Sequence, residues 1–296
     1  MLFESLKKRL PRIKENELLK NHCTFRVGGP ADLFYELRDI EELPTLIQWA
    51  EENHVSYFMF GQGSNILFGD GGFRGLVIKN YANRIVVDDT TITADSGLVL
   101  AMLIVKMLEH ELSGLESLYG LPGTVGGAVY GNAGVPGCEF SDFLRYITVY
   151  NIETGVRRVE KNDITFSYRH SSLQNQKDVI LTVTIELKKG SKEHSKAEMK
   201  KIDTARRDKQ PVGFTCGSFF KNPSKEKPAG MLIDKAELKG TRIGGAQISE
   251  KHGNFFMNVG DATAGDILSL SELAQKTVKE KFDITLEREV RIIGEL

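Results

Sequence analysis

At 296 residues, with 41% hydrophobic and 27% charged side chains and a formal net charge of −1, the chain has the makeup of an ordinary soluble protein of two or three domains. A balance this close to neutral, with no basic block beyond a few lysines between residues 188 and 209, argues against nucleic acid or another polyanion and for a small-molecule partner. Three widely spaced cysteines, Cys23, Cys138 and Cys216, form neither a disulfide framework nor a zinc site, which fits a reducing cytoplasm; the most apolar run, 98–108, is broken by Lys106 and is too short for the roughly 20 residues of a membrane span.

Residues 2–20 carry apolar side chains at helical spacing, interrupted by Pro11, and predict a short amphipathic helix; neither end of the chain reads as a targeting signal. A Gly-Gly-Pro turn at 28–30 leads into a strand over 33–37, followed by a helix over 40–53 and an apolar strand over 55–60. The loop Gly61-Gln62-Gly63-Ser64-Asn65 then opens like a dinucleotide fingerprint, but Ile66 and Leu67 stand where its third glycine belongs and β-rich sequence follows, so a Rossmann unit is rejected. Short strands follow at 76–78, 85–87 and 91–94, then a helix over 98–112 expected to be buried on most sides.

Between Gly114 and Gly137 lie 8 of the 29 glycines. Pro122 fixes one φ, while Gly123, Gly126 and Gly127 lack side chains, so their amides are expected to be free to converge on an anion such as a pyrophosphate, with the 61–65 loop as a second wall. A structural turn remains the alternative. Beyond it, 146–151 and 156–159 form a hairpin around Glu153-Thr154-Gly155, and 179–187 alternates with Val179, Leu181, Val183, Ile185 and Leu187 on one face. Residues 188–197 contain no large apolar side chain and are the best linker; a charged helix over 196–210, a loop over 213–223, a helix over 262–282 opened by a Thr263/Asp266 capping box, and a last strand over 284–293 complete the chain.

Ser218, after Gly217 on a sharp loop, is a candidate nucleophile, though it lacks a Gly-x-Ser-x-Gly context and a structural loop serine is the commoner reading; Cys216 competes for an acid or nucleophile role but reads mainly as a small buried residue. Strand alternation over 284–293 puts Glu289 and Arg291 on one face, as a functional pair or an exposed ion pair, and Arg169 is open between anion binding and surface solvation. None of the six histidines sits in a metal-spaced cluster, and no metal is expected.

Seven segments occur in order: Gly61-Gln62-Gly63-Ser64-Asn65, 120–127, Asn132-Ala133-Gly134, Tyr168-Arg169, 217–223, Gly245-Ala246-Gln247 and 286–291. Together they closely resemble the UDP-N-acetylenolpyruvoylglucosamine reductase family, flavoenzymes that form UDP-N-acetylmuramate for peptidoglycan, over about residues 24–294. The resemblance implies an α+β fold, with an FAD-binding module of the vanillyl-alcohol-oxidase (PCMH) type in two subdomains, 1–75 and 76–189, and a C-terminal α+β substrate-binding domain, 190–296. It implies FAD held by Gly61, Gly63, Ser64, Asn65, Ile66, Leu67, Pro122, Gly123, Thr124, Gly126 and Gly127, with NADPH as reductant and UDP-N-acetylglucosamine enolpyruvate as substrate. Carried over residue by residue, Ser218 matches the proton donor, Arg169 and Glu289 the other catalytic residues, and Asn222 and Arg291 substrate contacts, joined by Arg206, Lys209 and Gln247.

In such a reaction the transition state approaches a dianionic enolate, which Arg169 would neutralise while Ser218 protonates the inner carbon; Glu289 would be protonated or offset by Arg291. The short stretch 190–196 makes the chain similar to the family's shorter form, without an extra tyrosine-bearing loop, and Cys216 departs from the alanine expected there. A cytoplasmic monomer with no nucleic-acid or membrane partner is expected. The rivals are another FAD-dependent oxidase or dehydrogenase on the same fold and a non-catalytic nucleotide-sugar binding protein.

Overall fold

The alternating segment near residue 180 becomes Val179–Glu186, the central strand of a five-stranded antiparallel sheet in the computed structural model, which describes residues 6, 7, 10 and 12–296. Leu144–Asn151 and Gly155–Glu160 lie on one side of it, Thr91–Asp95 and Ile85–Asp88 on the other. The hairpin predicted around Glu153-Thr154-Gly155 is present, with Asn151 opposite Gly155. Its register with the central strand shifts at Thr148/Val149, where Thr148 faces Thr182 but Val149 faces Ile180. This bulge overturns the simple alternation: Ile180, not Leu181, joins Val183, Ile185 and Leu187 in the core.

Against one face of the sheet lie the helices Leu100–Glu109 and Val125–Tyr130, whose Leu100, Leu103, Ile104, Met107, Val125 and Val129 are buried with Ile147 and Val149. The first helix is less enclosed than expected, since Met102 and Val105 are exposed. These elements belong to one of two contact-defined units, comprising residues to Ile13, Tyr35–Gln62 and Ile78–Arg206. The same unit holds Leu43–Glu52, a helix opened by Pro44 and packed through Leu43, Leu46, Ile47, Trp49 and Ala50.

Lys14–Phe34, Gly63–Val77 and Arg207–Leu296 make the second unit. Its buried aromatic centre joins Phe25, Phe219, Phe220 and Phe256, with Phe219 and Phe256 centroids 4.6 Å apart. Residues Ala246–Ile248 pair with Phe256–Asn258 and carry the long helix Ala264–Phe282. That helix has the anticipated capping box: Thr263 Oγ1 accepts from Asp266 N–H, and an Asp266 carboxylate oxygen accepts from Thr263 N–H. Asp70, from a distant loop, accepts from Ala264 N–H and Gly265 N–H at 2.8 and 3.1 Å, so two more orphan amides of the first turn are satisfied.

Four expectations change. The helix over 2–20 falls partly outside the described residues; Leu6 and Lys7 are helical as expected, but beyond Pro11 Lys14–Leu18 is a strand antiparallel to Pro30–Leu37, with Asn16 at φ +52° in the left-handed region that a helix cannot contain. The supposed linker at 188–197 holds the short strand Lys188–Lys189 and the start of the helix Lys192–Lys209, because Ser195 is wholly buried and its hydroxyl meets Glu116. The glycine stretch contains a short helix, Val125–Tyr130, rather than open loop. Finally, the last strand is only Arg291–Ile293, parallel to Ile66–Phe68; residues 284–290 are irregular, so strand alternation does not place Glu289 and Arg291 on one face.

Replacing Thr263 by Ala removes one cap of the long helix and lowers the unfolding free energy by about 1 kcal/mol, read from urea denaturation. Backbone donation from Thr263 holds the Asp266 carboxyl below its ordinary value. Its folded value being the lower one, this contribution is complete above about pH 4 and is lost as the pH falls through the folded value; the backbone N–H survives in the variant, so both proteins lose it together and the difference between them persists into acid.

Candidate active site

Within the first unit the two glycine loops meet. A Cβ on Gly61 would collide with Thr124 Oγ1, so only glycine lets the chain rest against that side chain, and Gln62 Oε1 accepts from Gly123 N–H at 2.8 Å. The amides are not the open anion cradle expected from the sequence. Gly126 N–H donates to Ser96 O at 2.8 Å, Val125 N–H to Leu98 O at 2.8 Å, and Gly127 N–H to Thr124 Oγ1 at 3.3 Å. Gly126 serves packing, since a Cβ there would stand 2.6 Å from Ser96 Cβ, whereas a Cβ on the exposed Gly127 would meet only Thr124 Oγ1, at 3.4 Å. Gly123, by contrast, meets the carboxamide oxygen of a half-buried side chain, an acceptor that a ligand oxygen can replace.

Arg169, also in this unit, occupies the turn between Phe166–Ser167 and His170–Ser171 at φ +57°, a conformation uncommon for any residue but glycine and a form of stored strain. Its guanidinium lies 5.1 Å from the Tyr168 ring centroid and its carbonyl accepts from Gln174 Nε2. Arg206, near the end of Lys192–Lys209, covers Gly120 and donates to its carbonyl at 3.4 Å; burial lowers the guanidinium pKa.

The second unit holds the rest of the first glycine loop, Gly63 to Leu67, together with Ser218, Asn222, Gln247, Glu289 and Arg291, and Lys209 as well. Gly217, at φ +80°, turns the chain so that Ser218 bridges Phe255. Glu289 N–H donates to Phe219 O at 2.9 Å, which brings the serine loop and the glutamate segment side by side. On the other flank Asn65 Nδ2 donates to Glu289 O at 3.2 Å, and Arg291 N–H donates to Asn65 O at 3.1 Å. Asn222 Oδ1 accepts from Ala229 N–H at 3.0 Å and starts the helix Ala229–Lys235, while Gln247 Nε2 donates to Gly240 O.

Cys216 is 6% exposed, and burial first, then the negative charge of Glu289, pushes its thiol well above the ordinary range. A thiol so enclosed stays in its neutral form and packs as a small apolar side chain, in keeping with the second of the two readings left open by the sequence.

Two residues of the site escape a reading of the sequence. Gln62 sits inside a quoted motif, but nothing in its spacing reveals an acceptor for Gly123. Asn254, 2% exposed, grips the main chain of Phe220 at both groups: Oδ1 accepts from Phe220 N–H at 2.9 Å and Nδ2 donates to Phe220 O at 2.8 Å. Its own N–H donates to His252 Nδ1, and burial holds that imidazole below its ordinary pKa, in the neutral form that can accept. The only sequence signal is an asparagine between Gly253 and a pair of phenylalanines.

Comparison with known proteins bears on both units. A family model described as an FAD binding domain matches residues 31–159, and one described as the C-terminal domain of UDP-N-acetylenolpyruvoylglucosamine reductase matches 210–293. The chain is 41% identical over 285 residues to the UDP-N-acetylenolpyruvoylglucosamine reductase of Clostridium novyi, covering 96% of this chain and 92% of that protein. It is 39% identical over 282 residues to the enzyme of that name from Caldanaerobacter subterraneus, covering 95% and 93%. The crystal structure of the reductase from Thermus caldophilus superposes with a TM-score of 0.82 at 34% identity, over 95% of this chain and 98% of that one. The α+β fold, an FAD-binding module followed by a C-terminal domain, is common to them.

Exchanging Asn254 for Ala strands a buried N–H and a buried carbonyl of Phe220, at about 1–3 kcal/mol each. The expected loss of unfolding free energy is about 2–4 kcal/mol by urea denaturation; a loss within about 0.5 kcal/mol would show that the Ser218 loop does not depend on this clamp.

Proposed function

Since the chain belongs to the UDP-N-acetylenolpyruvoylglucosamine reductase family, we propose that it reduces UDP-N-acetylglucosamine enolpyruvate to UDP-N-acetylmuramate with NADPH, through FAD, in the synthesis of peptidoglycan precursors. The observation that carries the reading beyond likeness is the 2.9 Å bond from Glu289 N–H to Phe219 O, which joins the serine and glutamate segments, 70 residues apart in sequence (289 − 219), inside one unit.

The residues present fit a dinucleotide: Gly123 N–H already takes a neutral oxygen acceptor, and Gly61 and Gly126 are glycine because a Cβ would collide. We assign Gly61, Gly63, Ser64, Asn65, Ile66, Leu67, Pro122, Gly123, Thr124, Gly126 and Gly127 to FAD, with the amides of 126 and 127 shaping the loop, Gly123 donating outward and Asn65 taking part through its main chain, its side chain being engaged with Glu289 O. FAD supplies two electrons, taken from NADPH, as a hydride equivalent to the methylene carbon of the enolpyruvyl group.

The chain does the rest. Addition at the methylene carbon drives negative charge through the adjacent carbon into the carboxylate, and Arg169 is the cation assigned to it. Ser218 gives its hydroxyl proton to the inner carbon, completing the saturated lactyl ether; a weak acid suits so basic a centre. Glu289 stands by protonated or offset by Arg291, because an ionised carboxylate would oppose the developing dianion. Asn222 and Arg291, with Arg206, Lys209 and Gln247, are assigned to the substrate.

In this reading residues 1–75 and 76–189 are two FAD-binding subdomains and 190–296 binds the nucleotide sugar. Dispersed free cysteines support a reducing cytoplasm, and near-neutral charge supports a partner list limited to the two small substrates. The protein acts as a monomer. No helix among the described residues is long and apolar enough to cross a membrane.

Purified protein should be yellow, lose its visible flavin absorbance with NADPH in the absence of oxygen, and regain it on addition of UDP-N-acetylglucosamine enolpyruvate. A colourless protein, or a reduced flavin that only oxygen restores, would overturn the assignment. Substituting Ser218 by Ala should lower kcat by about 10²–10⁴-fold, the range of a lost general acid. Replacement of Cys216 by Ala should keep kcat within about threefold, as for a packing residue changed by one atom; comparable losses in both would return the proton donor to the thiol.

A further inference from the structure

A single peptide segment, that of Glu289, is held from both sides by loops that lie far apart in sequence. Its N–H donates to Phe219 O at 2.9 Å, and its carbonyl accepts from Asn65 Nδ2 at 3.2 Å. Two residues later the relation turns over: Arg291 N–H donates to Asn65 O at 3.1 Å, and from there Arg291, Ile292 and Ile293 pair in parallel with Ile66, Leu67 and Phe68. All of these residues belong to the second unit.

Glu289 lies outside the regular ladder, and its carbonyl is met by a side chain instead of a strand neighbour. The Cα–Cβ direction of a residue follows from its φ and ψ, and those are set by where its two flanking peptides are tethered. The Phe219 carbonyl tethers the first and, through a longer bond from Val290 N–H at 3.4 Å, also touches the second, whose own carbonyl is held by the Asn65 carboxamide. A short side chain with a neutral donor can reach the Glu289 carbonyl while the backbone carbonyl of the same residue serves Arg291.

We propose that Asn65 is a positioning residue for Glu289: its side chain orients the glutamate beside the Ser218 loop, whereas its backbone belongs to the loop assigned to FAD. This rests on the reductase reading above and deepens it, because it gives the Ser64-Asn65 element a second task distinct from cofactor binding. Asn65 is exposed, so removing its carboxamide returns the Glu289 carbonyl to water instead of stranding it. The consequence is misplacement of a side chain more than loss of fold, and small misplacements of reacting groups are costly in rate.

The test is a double-mutant cycle on the FAD-loaded enzyme. Asn65→Ala should keep its flavin content per chain, its visible spectrum and its thermal midpoint within about 2 °C of wild type. Bleaching by NADPH should stay within about twofold, while reoxidation by UDP-N-acetylglucosamine enolpyruvate slows about tenfold, the effect of roughly one lost hydrogen bond's placement. Asn65→Leu, similar in shape but without a donor, should match it, and serves if the alanine variant folds poorly. In a Glu289→Ala background the Asn65→Ala change should slow reoxidation by less than about twofold, because there is no carboxyl left to orient.

An equal factor in both backgrounds would overturn the inference, and so would flavin loss with both half-reactions falling together, which is the signature of a cofactor ligand. A wild-type protein that carries no flavin, or whose reduced flavin the enolpyruvyl substrate does not reoxidise, would overturn the family reading itself and this inference with it.

Discussion

Parallel pairing of Ile66–Phe68 with Arg291–Ile293 is the constraint on which the second unit depends. It ties the glycine loop to the end of the chain, so that the segment bearing Glu289 must pass beside the loop bearing Ser218. Closing a loop of some 225 residues instead of 20 costs only about 2 kcal/mol more, because loop entropy grows with the logarithm of length. Leu67 and Phe68 are fully buried, and burying such side chains contributes about 1.5–3 kcal/mol each, enough to offset that closure. Asp70 extends the same logic by capping Ala264–Phe282 from the adjoining turn.

In the first unit the corresponding constraint is steric. Gly61 rests against Thr124, and Gly126 against Ser96, at distances that leave no room for a Cβ. The packing of Val125–Tyr130 on the sheet, with Val125 and Val129 buried, depends on those approaches. Glycine clustering in this protein therefore has two physical causes, of which close packing accounts for more residues than amide presentation. Gly123 alone among 123, 126 and 127 donates to a side chain from another segment.

This division explains what could be read from the sequence. Hairpin, long helix and capping box were legible because each is specified within a few residues: Gly155 at φ +71° for the turn, Thr263 and Asp266 for the cap. Positions 61–67, 122–127, 218 and 289 were legible as motifs. What each motif does was not, since the fate of an amide depends on acceptors such as Ser96 O and Leu98 O that no local pattern names. The strand expected over 284–293 failed for a related reason. Its alternation is genuine, but its partners change along its length: Phe220 bridges Arg288 antiparallel, Ile66–Phe68 pair in parallel with only the last three residues, and Glu289 falls between the two. Likewise Ile180, not Leu181, joins the cluster of Val183 and Ile185 because of a bulge set by the neighbouring strand, although Leu181 is also buried.

Irregular backbone in both units is met repeatedly by side chains of one chemical kind. Gln62 accepts from Gly123, Asn65 donates to Glu289, Asn254 does both for Phe220, and Asn258 donates to Phe25 O while accepting from Gly260 and Ala262 N–H. Each carboxamide stands where a strand neighbour would otherwise satisfy the main chain. The choice has an electrostatic reason. An aspartate could accept but not donate, and would add a charge; a lysine could donate but not accept. A neutral side chain with both capacities lets irregular backbone be held firmly without adding charge beside it. The site can thus be assembled on loops, where its side chains point freely, and still be fixed nearly as well as if it were built on a sheet.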